Sequence, residues 1–154
     1  MAIPELFSLA SLAVFSLADM RSRMLPAVEI FFLGAVLIAA PLDPLRVGAA
    51  VLAVAWGLLR SWPRPLAWPL MLHPSTWVVL LTGFGVREGV IGRGDLLVIG
   101  GLAALLPWPA TVLALLGVEA WRRIWRGRQA GPTPALPGML LGVAVYVVFN
   151  LLAA

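Results

Sequence analysis

Apolar residues run through this chain in six long stretches, at 3–18, 27–42, 47–59, 66–84, 96–118 and 135–154, parted by short turns rich in Arg, Pro or Gly. Crossing a bilayer as a helix takes about 20 mostly apolar residues. Lipid offers backbone N–H and C=O groups no partner, so such stretches must satisfy themselves as helices. Charged residues are 12% of the chain and hydrophobic ones 62%, whereas soluble domains carry about 25% charge. The pattern predicts an all-α, polytopic membrane helix bundle of about six transmembrane helices, one of them broken or re-entrant. A single domain over 1–154 is expected, in the cytoplasmic membrane, multi-pass, with the lipid bilayer as its surroundings.

Two stretches are interrupted. Pro107-Trp108-Pro109 divides 96–118 and predicts two helices, one from near Gly89 and one running through Arg126. The stretch 66–84 contains Trp68, Pro69, His73, Pro74 and Trp77, the marks of an interfacial or broken segment. The positive-inside rule puts Arg21/Arg23 and the run from Arg122 to Arg126 on the cytoplasmic side, and the Pro107–Pro109 break then returns Asp95 to it. That count lets only one of 47–59 and 66–84 cross fully. The seven Trp read as interface anchors, and Gly138-Met139-Leu140-Leu141-Gly142 as a small-xxx-small helix-packing face. His73 reads as a cap or hydrogen-bonding group of the broken segment. Glu119 is spaced to pair with Arg122 or Arg123, and Asp43 with Arg46.

Composition removes several kinds of chemistry. Without cysteine there are no disulfides, thiolate metal sites or cysteine nucleophiles. One histidine does not make a His-based metal cluster, and no cofactor or metal is implied. The net charge of +4 comes from eleven Arg and no Lys. These Arg sit at helix ends and form no basic stripe with interleaved aromatics, so no nucleic-acid partner is expected. The first stretch lacks a basic n-region and a small-residue cleavage site, and reads as a retained helix.

Two of the three Asp stand where an apolar helix meets a polar turn. Asp19 opens Asp19-Met20-Arg21-Ser22-Arg23-Met24-Leu25-Pro26, and Asp95 closes Gly92-Arg93-Gly94-Asp95. Two carboxylates around one water can hydrolyse a peptide bond: the ionised one takes the water's proton, the protonated one polarises the carbonyl. Like charges this close share a proton. Gly92 and Gly94 would let an extended substrate lie against the backbone. Pro26 can open the second helix, and Arg21 and Arg23 would set the depth of the loop at the lipid head groups. A plainer reading uses the same residues: Asp19 as an N-cap or as a charge paired with Arg23, and Asp95 as a cap of the next helix.

In combination these motifs resemble the type IV prepilin peptidase and preflagellin peptidase family, the GxGD-type membrane aspartyl proteases. The likeness runs through Asp19, Arg21, Arg23 and Leu25-Pro26, then Gly92, Gly94 and Asp95, then Gly100-Gly101, and finally Leu136-Pro137-Gly138. The chain departs from the family at Leu97, where Lys is frequent, and at Ala27, where Asn usually follows the Pro. It lacks the zinc-binding cysteine loop and resembles the short, peptidase-only forms. The resemblance implies an aspartic-type endopeptidase, with Asp19 and Asp95 catalytic, that removes the short leader of a prepilin- or preflagellin-like membrane protein. Glu29 and Glu88 are candidates for attracting the basic leader. The runner-up is a non-catalytic small membrane protein, a transporter or pilus-assembly subunit using the aspartates for ion coupling or helix capping; no inverted repeat supports a transporter.

Single cysteines placed at 22 and 93 in this cysteine-free chain are expected to react with an impermeant thiol reagent from the same, cytoplasmic side. Labelling from opposite sides would rule out a paired role for Asp19 and Asp95.

Overall fold

The computed structural model describes residues 3–22, 28–39, 43–59, 73–88, 91–126 and 133–153. Among these there are seven helices and no strand: α1 (Ile3–Ser22), α2 (Val28–Ala39), α3 (Pro44–Leu59), α4 (Pro74–Arg87), α5 (Arg93–Leu105), α6 (Trp108–Arg126) and α7 (Leu136–Ala153). The all-helical expectation therefore holds. Only α1 and α7 are both long and apolar enough to cross a membrane, at about 30 and 27 Å by the usual 1.5 Å per residue. α2, α3 and α4 are apolar but shorter, so six full crossings are not established.

Local chemistry explains where the helices begin and end. Asp43 is the N-cap of α3: its carboxylate accepts from the Arg46 N–H at 3.1 Å, Pro44 follows as the first helical residue, and Arg46 lies 3.7 Å from the same carboxylate. α3 thus starts three residues before the expected 47. His73 caps α4, its Nδ1 accepting from the Ser75 N–H at 3.3 Å ahead of Pro74. Within the 66–84 stretch a helix starts at Pro74; residues 66–72 lie outside the described ones. Pro107 divides the fifth stretch as expected, because the residue before proline is driven out of the helical region, and Leu106 is extended at φ −112° and ψ 153°. The first half begins at Arg93 instead of near Gly89.

The helices gather into two compact units, one of residues 1–26 and 109–154, the other of 27–108. In the first, α1 packs on α7. α6 and α7 approach with backbone against backbone. A methyl on Gly142 would meet the Leu113 carbonyl and lie 2.6 Å from Ala114 Cα, and one on Gly138 would lie 2.5 Å from Val118 Cα. The small-xxx-small face is therefore a real crossing, where the absent side chains admit direct van der Waals contact. In the second unit α5 packs against α2, α3 and α4. Phe31 and Phe32 of α2 lie against its Gly100-Gly101 step.

Tryptophan placement corrects the anchor reading in part. Trp77 and Trp108 are 57% and 49% exposed, but Trp56 is 3% exposed, edge-on to Phe84 with centroids 5.0 Å apart. Trp125 is buried as well and tilts against Trp121. A position near a segment end does not distinguish an indole facing lipid from one turned into helix packing.

Gly142→Ala should lower unfolding stability by about 1–3 kcal/mol, the usual cost of overpacking. Thermal unfolding of the detergent-solubilised variant measures it, with Gly34→Ala on the partly exposed side of α2 as the control.

Candidate active site

α1 continues a full turn beyond the apolar stretch that defines it in the sequence. Met20, Arg21 and Ser22 all remain helical, in keeping with the good helix propensity of Met and Arg. Asp19 is thus inside the last turn of α1, where it cannot cap its own helix. It belongs to the buried face formed by Ser8, Leu12, Ser16 and Asp19 and is 8% exposed. Arg21 is exposed in the same turn; Arg23 and Pro26, and with them the Asp19–Arg23 pairing, lie outside the described residues.

The buried carboxylate faces the start of α7. Its Oδ2 accepts the Leu136 backbone N–H at 3.3 Å, across 117 positions of sequence. The first N–H groups of a helix have no partner within it. In α7, Pro137 has no N–H to satisfy, and the Gly138 and Met139 N–H groups both turn to the Ala135 carbonyl, at 3.0 and 3.1 Å. Ala135 occupies the cap position without a side-chain oxygen. Leu136 is the donor left over, and Asp19 caps it from another helix. The positive end of the α7 dipole adds a favourable interaction with a carboxylate, typically about 0.3–1 kcal/mol.

Asp95 meets a similar environment by a local route. It is the third residue of α5, and its Oδ2 accepts from the Gly92 N–H at 3.2 Å. This is one half of a capping box; Gly92 has no side chain with which to return the other half. Gly92 itself is extended, at φ −72° and ψ 152°, a conformation open to any residue. The need for glycine is spatial, since a methyl there would stand 3.1 Å from Asp95 Oδ2. Asp95 is half-buried beside the half-buried Gly94 and the exposed Arg93. The turn before it is tied to α4: the Ile91 N–H donates to the Gly85 carbonyl at 3.1 Å, and the Ile91 side chain fills the space over Gly85.

Asp19 belongs to the first unit; Gly92, Gly94, Asp95, Glu29 and Glu88 belong to the second. Glu29 is exposed in the first turn of α2, and Glu88 is the exposed C-cap of α4. Elsewhere, Glu119 pairs with Arg123 at 3.2 Å and Arg122 at 3.7 Å, as its spacing predicts. The capping expectation thus holds for Asp95. For Asp19 it holds with a changed target, because the capped helix is the last one. Two participants in the Asp19 environment escape sequence reading. The Leu136 N–H is a backbone group with no residue-type signature. Ser16 carries a signal only in its spacing, three residues before Asp19 on the same face.

Residues 6–120 match the type IV leader peptidase family. No curated protein and no solved structure matches the chain significantly.

Asp19→Ala should destabilise the protein by about 1 kcal/mol, the usual cost of losing a side-chain cap, while Asp19→Asn keeps an acceptor oxygen and most of the stability. Paired thermal melts of the two variants check this; equal losses would mean the Leu136 bond contributes nothing.

Proposed function

Because the chain belongs to the type IV leader peptidase family, we propose that it is a membrane aspartyl endopeptidase whose Asp19 and Asp95 carboxylates act as a pair to remove the short leader of prepilin- or preflagellin-like proteins at the cytoplasmic face of the cell membrane. Leader-peptidase activity is what the family implies. The observation that supports the aspartate assignment is the shared setting of the two carboxylates, each fixed by a backbone N–H at a helix start. Fixed carboxylates cost no reorganisation when the substrate arrives.

In the proposed reaction the pair holds one proton. Water attacks the scissile carbonyl carbon, giving its proton to the ionised carboxylate, while the protonated carboxyl donates to the carbonyl oxygen. The tetrahedral species then collapses. The C–N bond breaks, the departing amine takes a proton, and the pair recovers its starting state. Gly92 and Gly94 leave the backbone beside Asp95 open to an extended substrate. The exposed carboxylates of Glu29 and Glu88 attract a basic leader, and Arg21 and Arg23 hold the end of α1 at head-group depth. Residues 1–154 act together as one multi-pass peptidase domain, and the chemistry uses no cofactor.

The capping bonds also fit the runner-up, in which the aspartates are structural. Asparagine separates the two, since it keeps a cap and loses the acid–base function. With the purified protein in liposomes and a prepilin-type protein carrying a short basic leader, Asp19→Asn and Asp95→Asn should each slow cleavage by roughly a thousandfold or more, on the scale of acid–base catalysis. Both should melt within a few degrees of the parent. The parent's rate should fall at both acid and alkaline pH, where the pair holds one proton too many or too few. A parent protein that leaves a panel of such substrates intact would sink the peptidase reading, and an active Asn variant would remove that residue from the pair.

A further inference from the structure

Of the four serines of α1, Ser16 is set apart by being buried without a hydrogen-bond partner. A helical serine commonly returns its hydroxyl to the carbonyl four residues back. Ser8 does so, to Pro4 O at 2.8 Å, and so does Ser22, to Ala18 O at 3.0 Å. Ser16 does not. It is 5% exposed, and its buried Oγ has no hydrogen-bond partner. Leaving a buried hydroxyl unmet ordinarily costs about 1–3 kcal/mol, and a bond to its own helix is the usual remedy.

Position gives the unpartnered hydroxyl meaning. Ser16 is on the same buried face as Asp19, one turn earlier, and residues three apart are neighbours on a helix surface. Helical side chains lean toward the N-terminus, so the Asp19 carboxylate reaches back over the turn that carries Ser16. The two do not bond to each other, since the Ser16 Oγ is unpartnered. The Asp19 Oδ2 is already fixed by Leu136.

We propose that Ser16 is a water-positioning residue, its hydroxyl and the Asp19 carboxylate together holding the hydrolytic water of the peptidase reaction. The proposal rests on Asp19 being one of the catalytic pair. Two polar groups set one turn apart supply the minimum of partners that a buried water requires. The hydroxyl accepts from the water or donates to its oxygen, and fixes the direction of the lone pair that attacks. The Asp19 carboxylate takes the proton. Ser16 undergoes no chemistry.

The test uses the full-length protein in liposomes with the same prepilin-type substrate, comparing Ser16→Ala, Ser16→Cys and Ser16→Thr with Asp19→Asn and the parent. Ser16→Ala should lower kcat roughly tenfold, the value of one positioning hydrogen bond, with KM unchanged and the melting temperature unchanged or higher. Removing an unpartnered buried hydroxyl does not destabilise a fold. Ser16→Cys, of nearly equal size with a weak donor, should be impaired too, and Ser16→Thr, which keeps the hydroxyl, should recover most of the rate. Parental kcat in both Ser16→Ala and Ser16→Cys, beside an inactive Asp19→Asn, would overturn the role of Ser16 and leave the aspartate pair standing. Equal impairment of all three Ser16 variants with lowered melting temperatures would assign Ser16 to packing and overturn it likewise. An active Asp19→Asn would remove the pair itself, and with it the basis for Ser16.

Discussion

The buried bond from the Leu136 N–H to the Asp19 carboxylate is the interaction on which the first unit depends. A helix start buried in an apolar surrounding must find acceptors for its free N–H groups, and α7 has no serine, threonine or acid at its cap. Proline at 137 removes one donor, and the Ala135 carbonyl absorbs two. The acceptor for the last comes from α1. The same turn of α7 is pressed by α6 at Gly138, so its position is fixed from two directions. A carboxylate held in this way has a defined orientation, which is what acid–base chemistry asks of it.

The two aspartates each accept a backbone N–H at a helix start, but by different means. Asp95 is placed by its own sequence: a glycine three residues earlier, a helix that starts between them, and a turn strapped to Gly85 through Ile91. Asp19 is placed by tertiary structure, with an acceptor on α1 and a donor on α7. The Gly-Arg-Gly-Asp bond is therefore local, whereas the Asp19 bond is only as well formed as the packing of α1 on α7.

This difference also explains what could be read from residues alone. The all-helical fold, the break at Pro107, the His73 cap and the Gly138–Gly142 crossing rest on local rules, and each was legible. So was the Asp95 cap. The extension of α1 past Asp19 was obscured by polar residues that look like a turn yet favour a helix. Trp56 was misread because burial of an indole depends on what packs opposite, here Phe84. The target of Asp19 was hidden most deeply, since its partner is a main-chain N–H at leucine, a residue type that announces no polar role. Ser16 was hidden for the converse reason: its hydroxyl stands out only when it is seen to be buried without a partner, whereas the equally buried Ser8 bonds to its own helix.

The span of the Asp19–Leu136 bond has a consequence for biosynthesis. Its two ends are 117 residues apart, so the acceptor is made well before the donor. While the intervening helices are being made, the α1 carboxylate has no α7 to cap. It acquires its final orientation only once α7 has left the ribosome and docked. Contacts so distant in sequence form late because the loop between them must first be closed. A chain that has not yet reached α7 therefore lacks a correctly set Asp19, whatever the state of the Gly-Arg-Gly-Asp turn, and maturation of this residue is coupled to synthesis of α7.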